Sequence, residues 1–205
     1  LMAYLKAWTP QYAPGTHRTY ANPSIGMLGV VAARSLGQPY VAALEQGLFP
    51  KLGLRSTYVN VPPEKMPDYA WGYNKQNAPV RVNPGVLADE AYGVKSTARD
   101  MIRFVEVNLG VAPVDAAIQR AIAATHTGYY QLGAMTQDLI WEQYRYPVSV
   151  DDLVAGNSAK VAFETLPVQA LQPPSAPQPA AWINKTGATN GCLLYTSPSP
   201  RDRQK

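Results

Sequence analysis

The sequence predicts an α+β fold, and three observations support this prediction. Apolar residues recur at helical spacing in several segments, short apolar runs bounded by turn residues resemble strands, and prolines separate the two kinds of segment. The 205 residues suffice for one domain or slightly more, and 46 % of them are apolar, which is enough for a sizeable core. The 19 prolines are nearly twice the average share of ~5 %, so many loops, turns and short strands are expected.

Two helices are predicted in the first quarter of the chain, after a short helical end at residues 1–8. Asn22-Pro23 starts the first of them, because asparagine is a good N-cap and proline fits the first helical position. Gly37 ends this helix. A shorter helix is expected over residues 40–48, closed by Pro50.

Two more helices are predicted in the centre of the chain. Ser96 or Thr97 caps the first, which ends at Gly110, and the second covers about residues 114–125. The apolar face of the first helix comprises Met101, Phe104, Val105 and Leu109. Strands are expected at residues 69–73, 80–82, 138–144, 161–164 and 181–186, the last running into Gly187.

Charge and composition exclude several classes of function. The net charge of +4 comes without a basic cluster in the main body, so no nucleic-acid partner is expected. The longest run of apolar residues and glycines, residues 25–33, is shorter than the ~20 residues that cross a membrane. Cys192, His17 and His126 lie far apart in the sequence, which argues against a zinc site.

The last 14 residues, 192–205, differ from the rest of the chain. They lack periodicity and are rich in proline, serine and arginine. We interpret them as a segment outside the domain, either disordered or an artefact of linker sequence. A natural disordered basic tail is the alternative.

Two short motifs stand out by their combination. Tyr20-Ala21-Asn22 lies at the start of the first long helix, and Lys185-Thr186-Gly187 lies 165 residues later on the last predicted strand. A Lys-Thr-Gly strand beside a Ser/Tyr-x-Asn element resembles the penicillin-recognising enzymes that are acylated on serine. With tyrosine as its first residue, the middle motif resembles that of class C (AmpC-type) serine β-lactamases.

The resemblance to class C β-lactamases covers residues 1–191, which we expect to form part of one such domain. It implies a serine β-lactamase/penicillin-binding-protein-like fold, of which this chain holds mostly the helical region and part of the antiparallel sheet. The matching blocks, in family order and spacing, are residues 13–26, 61–62, 69–73, 90–97 and 182–191.

Tyr20 and Lys185 are the side chains expected to act in catalysis. The resemblance makes Tyr20 the acid/base of acyl transfer. An ordinary phenol titrates near ~10, so Tyr20 needs a nearby cation, and Lys185 is the candidate. Without the motif, Tyr20 would be interpreted as an ordinary tyrosine, one of 13 in the chain, whose ring packs while its hydroxyl points toward water. The expectation therefore depends on the two groups facing each other across one cleft.

The resemblance assigns substrate contacts to the remaining motif residues. Asn22 would cap its helix and bind the side-chain amide of the substrate. Thr186 and Gly187 would bind near the β-lactam carboxylate, and the backbone N–H of Ala188 would donate to the oxyanion. Tyr92 would line the pocket for the acyl side chain, with loop packing as its alternative role.

The nucleophile of the family is missing from these 205 residues. In the Ser-x-x-Lys motif a serine precedes a lysine by three residues, and none of the eight lysines has one there. We therefore expect the chain to be the middle of an enzyme, with the serine upstream and further strands and a helix downstream. Two results are expected: strand 182–187 lacks neighbours, and the chain itself does not hydrolyse β-lactams.

The leading hypothesis is a class C serine β-lactamase that opens penicillin and cephalosporin rings through an acyl-enzyme. The alternatives are a DD-peptidase or esterase of the same fold and an inert, non-catalytic fragment. The resemblance implies a monomer in the periplasm that acts on small β-lactam antibiotics without metal or cofactor, nucleic acid or membrane.

Overall fold

The computed structural model describes residues 1–74, 76–185 and 187, and it confirms the α+β class. The α-helices are α1 (Met2–Ala7), α2 (Asn22–Ser35), α3 (Tyr40–Ala42), α4 (Phe49–Leu52), α5 (Ala88–Tyr92), α6 (Ala98–Asn108), α7 (Ala116–Thr125), α8 (Val150–Gly156) and α9 (Ala159–Phe163). A π-helical segment, Ala43–Leu48, joins α3 to α4, and a 3-10 helix covers Pro63–Asp68. The strands are β1 (His17–Arg18), β2 (Gly72–Tyr73), β3 (Pro79–Val80), β4 (Gly128–Leu132), β5 (Met135–Gln137), β6 (Glu142–Arg145), β7 (Leu166–Pro167), β8 (Gln169–Ser175) and β9 (Ala181–Asn184).

The main sheet is antiparallel and, in the described part of the chain, has five strands in the order β8-β4-β5-β6-β9. The last strand, β9, pairs with β6 in a register that places Glu142 opposite Asn184. The expectation that strand 182–187 lacks neighbours is therefore wrong, because β6 comes from within this chain. Smaller antiparallel pairs join β1 to β7 and β2 to β3.

Two apolar clusters form the core of the described residues. The helical cluster includes Phe49, Leu52 and Val107, and the cluster beneath the sheet includes Met135 and Tyr144. Separate clusters on the helices and on the sheet are typical of an α+β domain. Among the described residues, no helix is long and apolar enough to cross a membrane.

Helix α2 packs closely against α5 through its glycines. A Cβ added at Gly26 would lie 2.6 Å from Leu87 Cβ, and one added at Gly29 would lie 2.7 Å from Glu90 Cβ. The absence of side chains at these two positions brings the helices together, and it links the Tyr20 end of α2 to the segment that carries Tyr92.

Two predicted strands differ in the structure. Residues 138–141 form the turn between β5 and β6, so the strand predicted at 138–144 is wrong in its first half. In this turn the Asp138 N–H donates to the Trp141 carbonyl, which reverses the chain. The segment predicted as strand 161–164 belongs mostly to α9, because Ser158 caps a helix there.

Two helices also differ from the prediction. The helix expected at 40–48 continues to Leu52, since Pro50 falls in the first turn of α4, where its missing N–H is tolerated, and Gly53 at φ +78° ends it. In α6, Thr97 is the predicted cap, but the buried face is rotated: Val107 is buried, and Met101, Val105 and Leu109 are exposed. Helical spacing alone does not identify which face meets the core.

Candidate active site

Tyr20 and Lys185 come from opposite ends of the chain and meet in the structure. Tyr20 lies in the connection between β1 and α2, and Lys185 follows the last residue of β9. The Lys185 Nζ lies over the Tyr20 ring, 4.9 Å from its centroid, within the ~6 Å at which a cation is attracted to an aromatic face. The predicted pairing of these two groups is confirmed. Tyr20 is 42 % exposed, so a ligand can reach its side chain.

A buried carboxylate holds the lysine in place. Glu142 on β6 is 3 % exposed, and its Oε1 accepts from Lys185 Nζ at 3.3 Å and from Arg18 Nη2 at 2.9 Å. A buried carboxylate requires partners of this kind, because desolvation disfavours its charge. Strand pairing supplies the geometry, since Glu142 lies opposite Asn184, the residue before Lys185.

Arg18 is itself fixed by two further hydrogen bonds. Its Nε donates to Gln137 Oε1 at 2.7 Å, and its Nη1 donates to the Val161 carbonyl at 3.0 Å. Because Arg18 lies two residues before Tyr20, these bonds also anchor the loop that carries the phenol. The guanidinium thus connects β1, β5, β6 and α9.

Arg18, Glu142 and Lys185 together carry two positive charges and one negative charge. The Lys185 ammonium lies beside the Tyr20 ring. Because this charge is only partly exposed, it is less screened by solvent than a surface lysine. Such a site can attract an anionic ligand and place a cation beside the phenol during proton transfer.

Asn22 is only partly as predicted. Asn22 is the first helical residue of α2, and the residue before it, Ala21, is the N-cap. No side chain makes a capping hydrogen bond at this end of the helix. The predicted capping role of Asn22 is therefore wrong. Its side chain is exposed and makes no hydrogen bond to the described residues, so its amide is available to a ligand.

Tyr92 ends α5 and is half-buried. Its hydroxyl accepts a hydrogen bond from the Gly85 N–H at 3.1 Å. This contact fixes the loop in front of α5, which agrees with the alternative role of loop packing.

The remaining predicted site residues are only partly described. Gly187 is exposed, and a Cβ added there would meet nothing within 4 Å. Thr186 and Ala188 lie outside the described residues, as does the segment 192–205, so their roles stay predictions.

Sequence reasoning missed Glu142 and Arg18. One signal was present: Glu142 follows Trp141 in a strand with few other charges, and a glutamate buried in a sheet requires a cation. The sequence did not identify that cation, because Arg18 is 124 residues away.

The sequence of this chain is similar to those of known beta-lactamases. The family model described as Beta-lactamase matches residues 1–199. A beta-lactamase of Lysobacter lactamgenus is 53 % identical over 200 residues, which are 98 % of this chain and 52 % of that protein. The chain spans about half the length of the curated relatives it matches.

Solved structures agree with the sequence comparison. A beta-lactamase/D-alanine carboxypeptidase from Pseudomonas syringae matches with a TM-score of 0.90 and 60 % identity, covering 93 % of this chain and 53 % of that one. A class C beta-lactamase in complex with cefoxitin matches with a TM-score of 0.89 and 50 % identity, again over 93 % of this chain and 53 % of that one.

Proposed function

Because the chain belongs to the beta-lactamase family, we propose that it supplies the tyrosine–lysine side of the active site of a class C serine β-lactamase. The complete enzyme would hydrolyse the β-lactam amide through an acyl-enzyme. The observation that carries the proposal is the position of Lys185 Nζ, 4.9 Å from the centre of the Tyr20 ring. Two residues of separate motifs, 165 positions apart, meet at one place.

Tyr20 and Lys185 would move the protons of the reaction. Tyr20 would act as the phenolate: its oxygen takes the proton of the attacking serine, and the phenol so formed gives a proton to the leaving nitrogen. Lys185 supplies the positive charge beside the phenol, and Glu142 with Arg18 keeps the ammonium in position. Positioned general acid–base catalysis of this kind contributes about 10²- to 10⁴-fold in rate.

The other motif residues would bind the substrate. The exposed Asn22 amide can bind the side-chain amide of a β-lactam, and Thr186 and Gly187 can bind near its carboxylate. The Ala188 N–H would donate to the oxyanion. Tyr92 would line the acyl side-chain pocket.

The nucleophile lies outside residues 1–205 on this proposal. No serine within these residues precedes a lysine by three, so this chain alone has no Ser-x-x-Lys motif. The purified chain should therefore neither turn over nitrocefin nor gain mass on incubation with a penicillin. A covalent adduct on the chain would contradict this assignment.

The activity itself is tested with the longer protein read from the neighbouring coding DNA, which should contain Ser-x-x-Lys. Tyr20→Phe in that protein should lower kcat for nitrocefin about 10²-fold or more, because the proton acceptor is lost. Tyr4→Phe removes the hydroxyl of an exposed tyrosine in α1 and should leave kcat unchanged. Equal rates for wild type and Tyr20→Phe would overturn the proposal.

D-alanine carboxypeptidase activity is a second candidate. The Pseudomonas syringae protein that matches at a TM-score of 0.90 is described as both a beta-lactamase and a D-alanine carboxypeptidase. Both reactions pass through an acyl-serine, and they differ in how fast water releases the acyl group. Rapid release of D-alanine from an acyl-D-Ala-D-Ala peptide, with a penicilloyl adduct that persists, would favour the carboxypeptidase.

We also propose that the complete enzyme is a periplasmic monomer that binds small β-lactams and needs no metal or cofactor. The family resemblance supports this part of the proposal. Fractionation of cells that express the longer protein, followed by gel filtration, tests the location and the oligomeric state.

A further inference from the structure

Asp138 carries a buried carboxyl group without a partner. The residue is 4 % exposed, and neither Oδ1 nor Oδ2 has a hydrogen-bond partner among the described residues. Its Oδ1 packs against the bare backbone of Gly128, where an added Cβ would lie 3.4 Å away. Buried polar side chains without a partner are rare in folded proteins, so this one requires an explanation.

The turn that contains Asp138 is also strained. Ile140, two residues on, has φ +83°, a left-handed conformation that is unfavourable for a β-branched residue. Leu139 and Ile140 are both exposed, so the turn lies at the surface. Opening this surface turn would relieve the strain at Ile140 and hydrate the carboxyl, at the cost of contacts such as the hydrogen bond from Trp141 Nε1 to Thr125 Oγ1 at 3.2 Å.

The same turn is connected to the candidate active site. Gln137 Nε2 donates to the carbonyls of Asp138 and Trp141, at 3.2 and 2.9 Å. Gln137 Oε1 accepts from Arg18, which pairs with Glu142, the partner of Lys185. Opening the turn would remove both acceptors of the Gln137 amide and loosen its hold on Arg18.

We propose that the turn 138–141 is a pH-sensitive latch, closed while Asp138 is protonated and opened when the carboxyl ionises and draws water. The opening depends only on Asp138 and its surroundings. Its effect on Lys185 matters for catalysis only if the function proposed above is correct.

The electrostatic surroundings of Asp138 support this proposal. Burial raises the pKa of Asp138 from its ordinary 3.8 to about 7. The elements around Asp138 carry the following titratable groups: Glu142, Tyr144 and Arg145 on β6, His17 and Arg18 on β1, Tyr129 and Tyr130 on β4, and His126 after α7. Strand β8 has no titratable side chain, and no cation forms an ion pair with Asp138 among the described residues.

The direction of the pH effect follows from the raised pKa. In the open turn Asp138 ionises near its ordinary pKa, whereas in the closed turn it holds its proton up to about pH 7. The opening constant should therefore rise about tenfold per pH unit between about pH 4 and pH 7, and level off above.

Hydrogen–deuterium exchange of the full chain tests the latch without any measurement of activity. After correction for intrinsic rates, peptides covering the turn should exchange at least tenfold faster at about pH 8 than at about pH 5. A profile that is flat between these two pH values would overturn the proposal, even if no variant could be made.

Variants identify the group responsible. Asp138→Asn has nearly the same shape but does not titrate, so its turn should exchange equally at both pH values. Asp68→Asn, at an exposed position outside the sheet, should keep the pH dependence of the wild type. A pH dependence that persists in Asp138→Asn would assign the opening to another group and contradict the latch.

Discussion

At the scale of single residues, the site depends on one carboxylate shared by two cations. Glu142 is 3 % exposed, and its Oε1 contacts both Arg18 and Lys185. A buried ion pair is weak evidence for stability in itself, but removal of one partner leaves the others uncompensated. The two cations come from β1 and from the end of β9, so Glu142 also joins distant parts of the chain.

Glu142→Gln should therefore destabilise the chain by about 2–4 kcal/mol, because Arg18 and Lys185 both lose the carboxylate that they share. Urea unfolding followed by circular dichroism measures the change. Glu64→Gln is the matched control, because Glu64 is exposed in the 3-10 helix and should cost less than about 0.5 kcal/mol. Equal midpoints for the two variants would show that the shared carboxylate contributes little.

At the same scale, Asp138 gives the chain a pH-dependent stability. Its folded pKa, about 7, is raised above the unfolded value of 3.8, so the folded state binds more protons between these values. The contribution of this group is most favourable below about pH 4 and is lost as the pH rises through 7, by up to about 4 kcal/mol.

The difference in unfolding free energy between Asp138→Asn and wild type should accordingly grow in favour of the variant from about pH 5 to about pH 8. Chemical unfolding at the two pH values measures it. A constant difference would mean that Asp138 is ionised throughout, or finds water, in the folded chain.

At the scale of elements, the close packing of α2 on α5 positions the start of α2 near the site. Gly26 and Gly29 permit this approach, because side chains there would collide with Leu87 and Glu90. Glycine in a helix normally costs about 1 kcal/mol relative to alanine, so helix packing must offset this cost.

Gly26→Ala should lower the free energy of unfolding by about 1–3 kcal/mol, since the added methyl group meets Leu87 in a packed interface. Gly47→Ala is the control: nothing lies within 4 Å of its added Cβ, so the better helix former should be neutral or stabilising. Thermal unfolding of the two variants, compared with wild type, measures the difference. Similar melting temperatures would mean that Leu87 and α5 shift to accommodate the added methyl group at little cost in stability.

Elements with strong local signals were predictable from sequence, and those decided by tertiary contacts were not. Thr97 caps α6 and Gly37 follows α2, as their side chains and backbone freedom indicate. Residues 138–144 include an apolar run of the kind found in strands, yet the chain reverses at Ile140 with φ +83°, a conformation disfavoured for isoleucine. Local propensity gives no sign of this turn.

At the scale of the whole molecule, the motifs predicted the meeting of Tyr20 and Lys185, but not the support beneath them. The motif residues are recognisable in the sequence because their types and order recur. Arg18, Gln137 and Glu142 meet only because β1, β5 and β6 come together in three dimensions. Contacts over more than 100 residues leave no periodic pattern to detect.

The alignment of β6 with β9 has a consequence for insertions and deletions. Side chains alternate between the two faces of a strand, so losing one residue from β9 would turn the ammonium of Lys185 away from Tyr20 while the hydrogen-bonded ladder survived. Removing two residues would return the Lys185 side chain to its original face of the sheet but shift its ammonium about 7 Å along the strand. The loop before β9 can vary in length, whereas β9 itself tolerates no change in its number of residues.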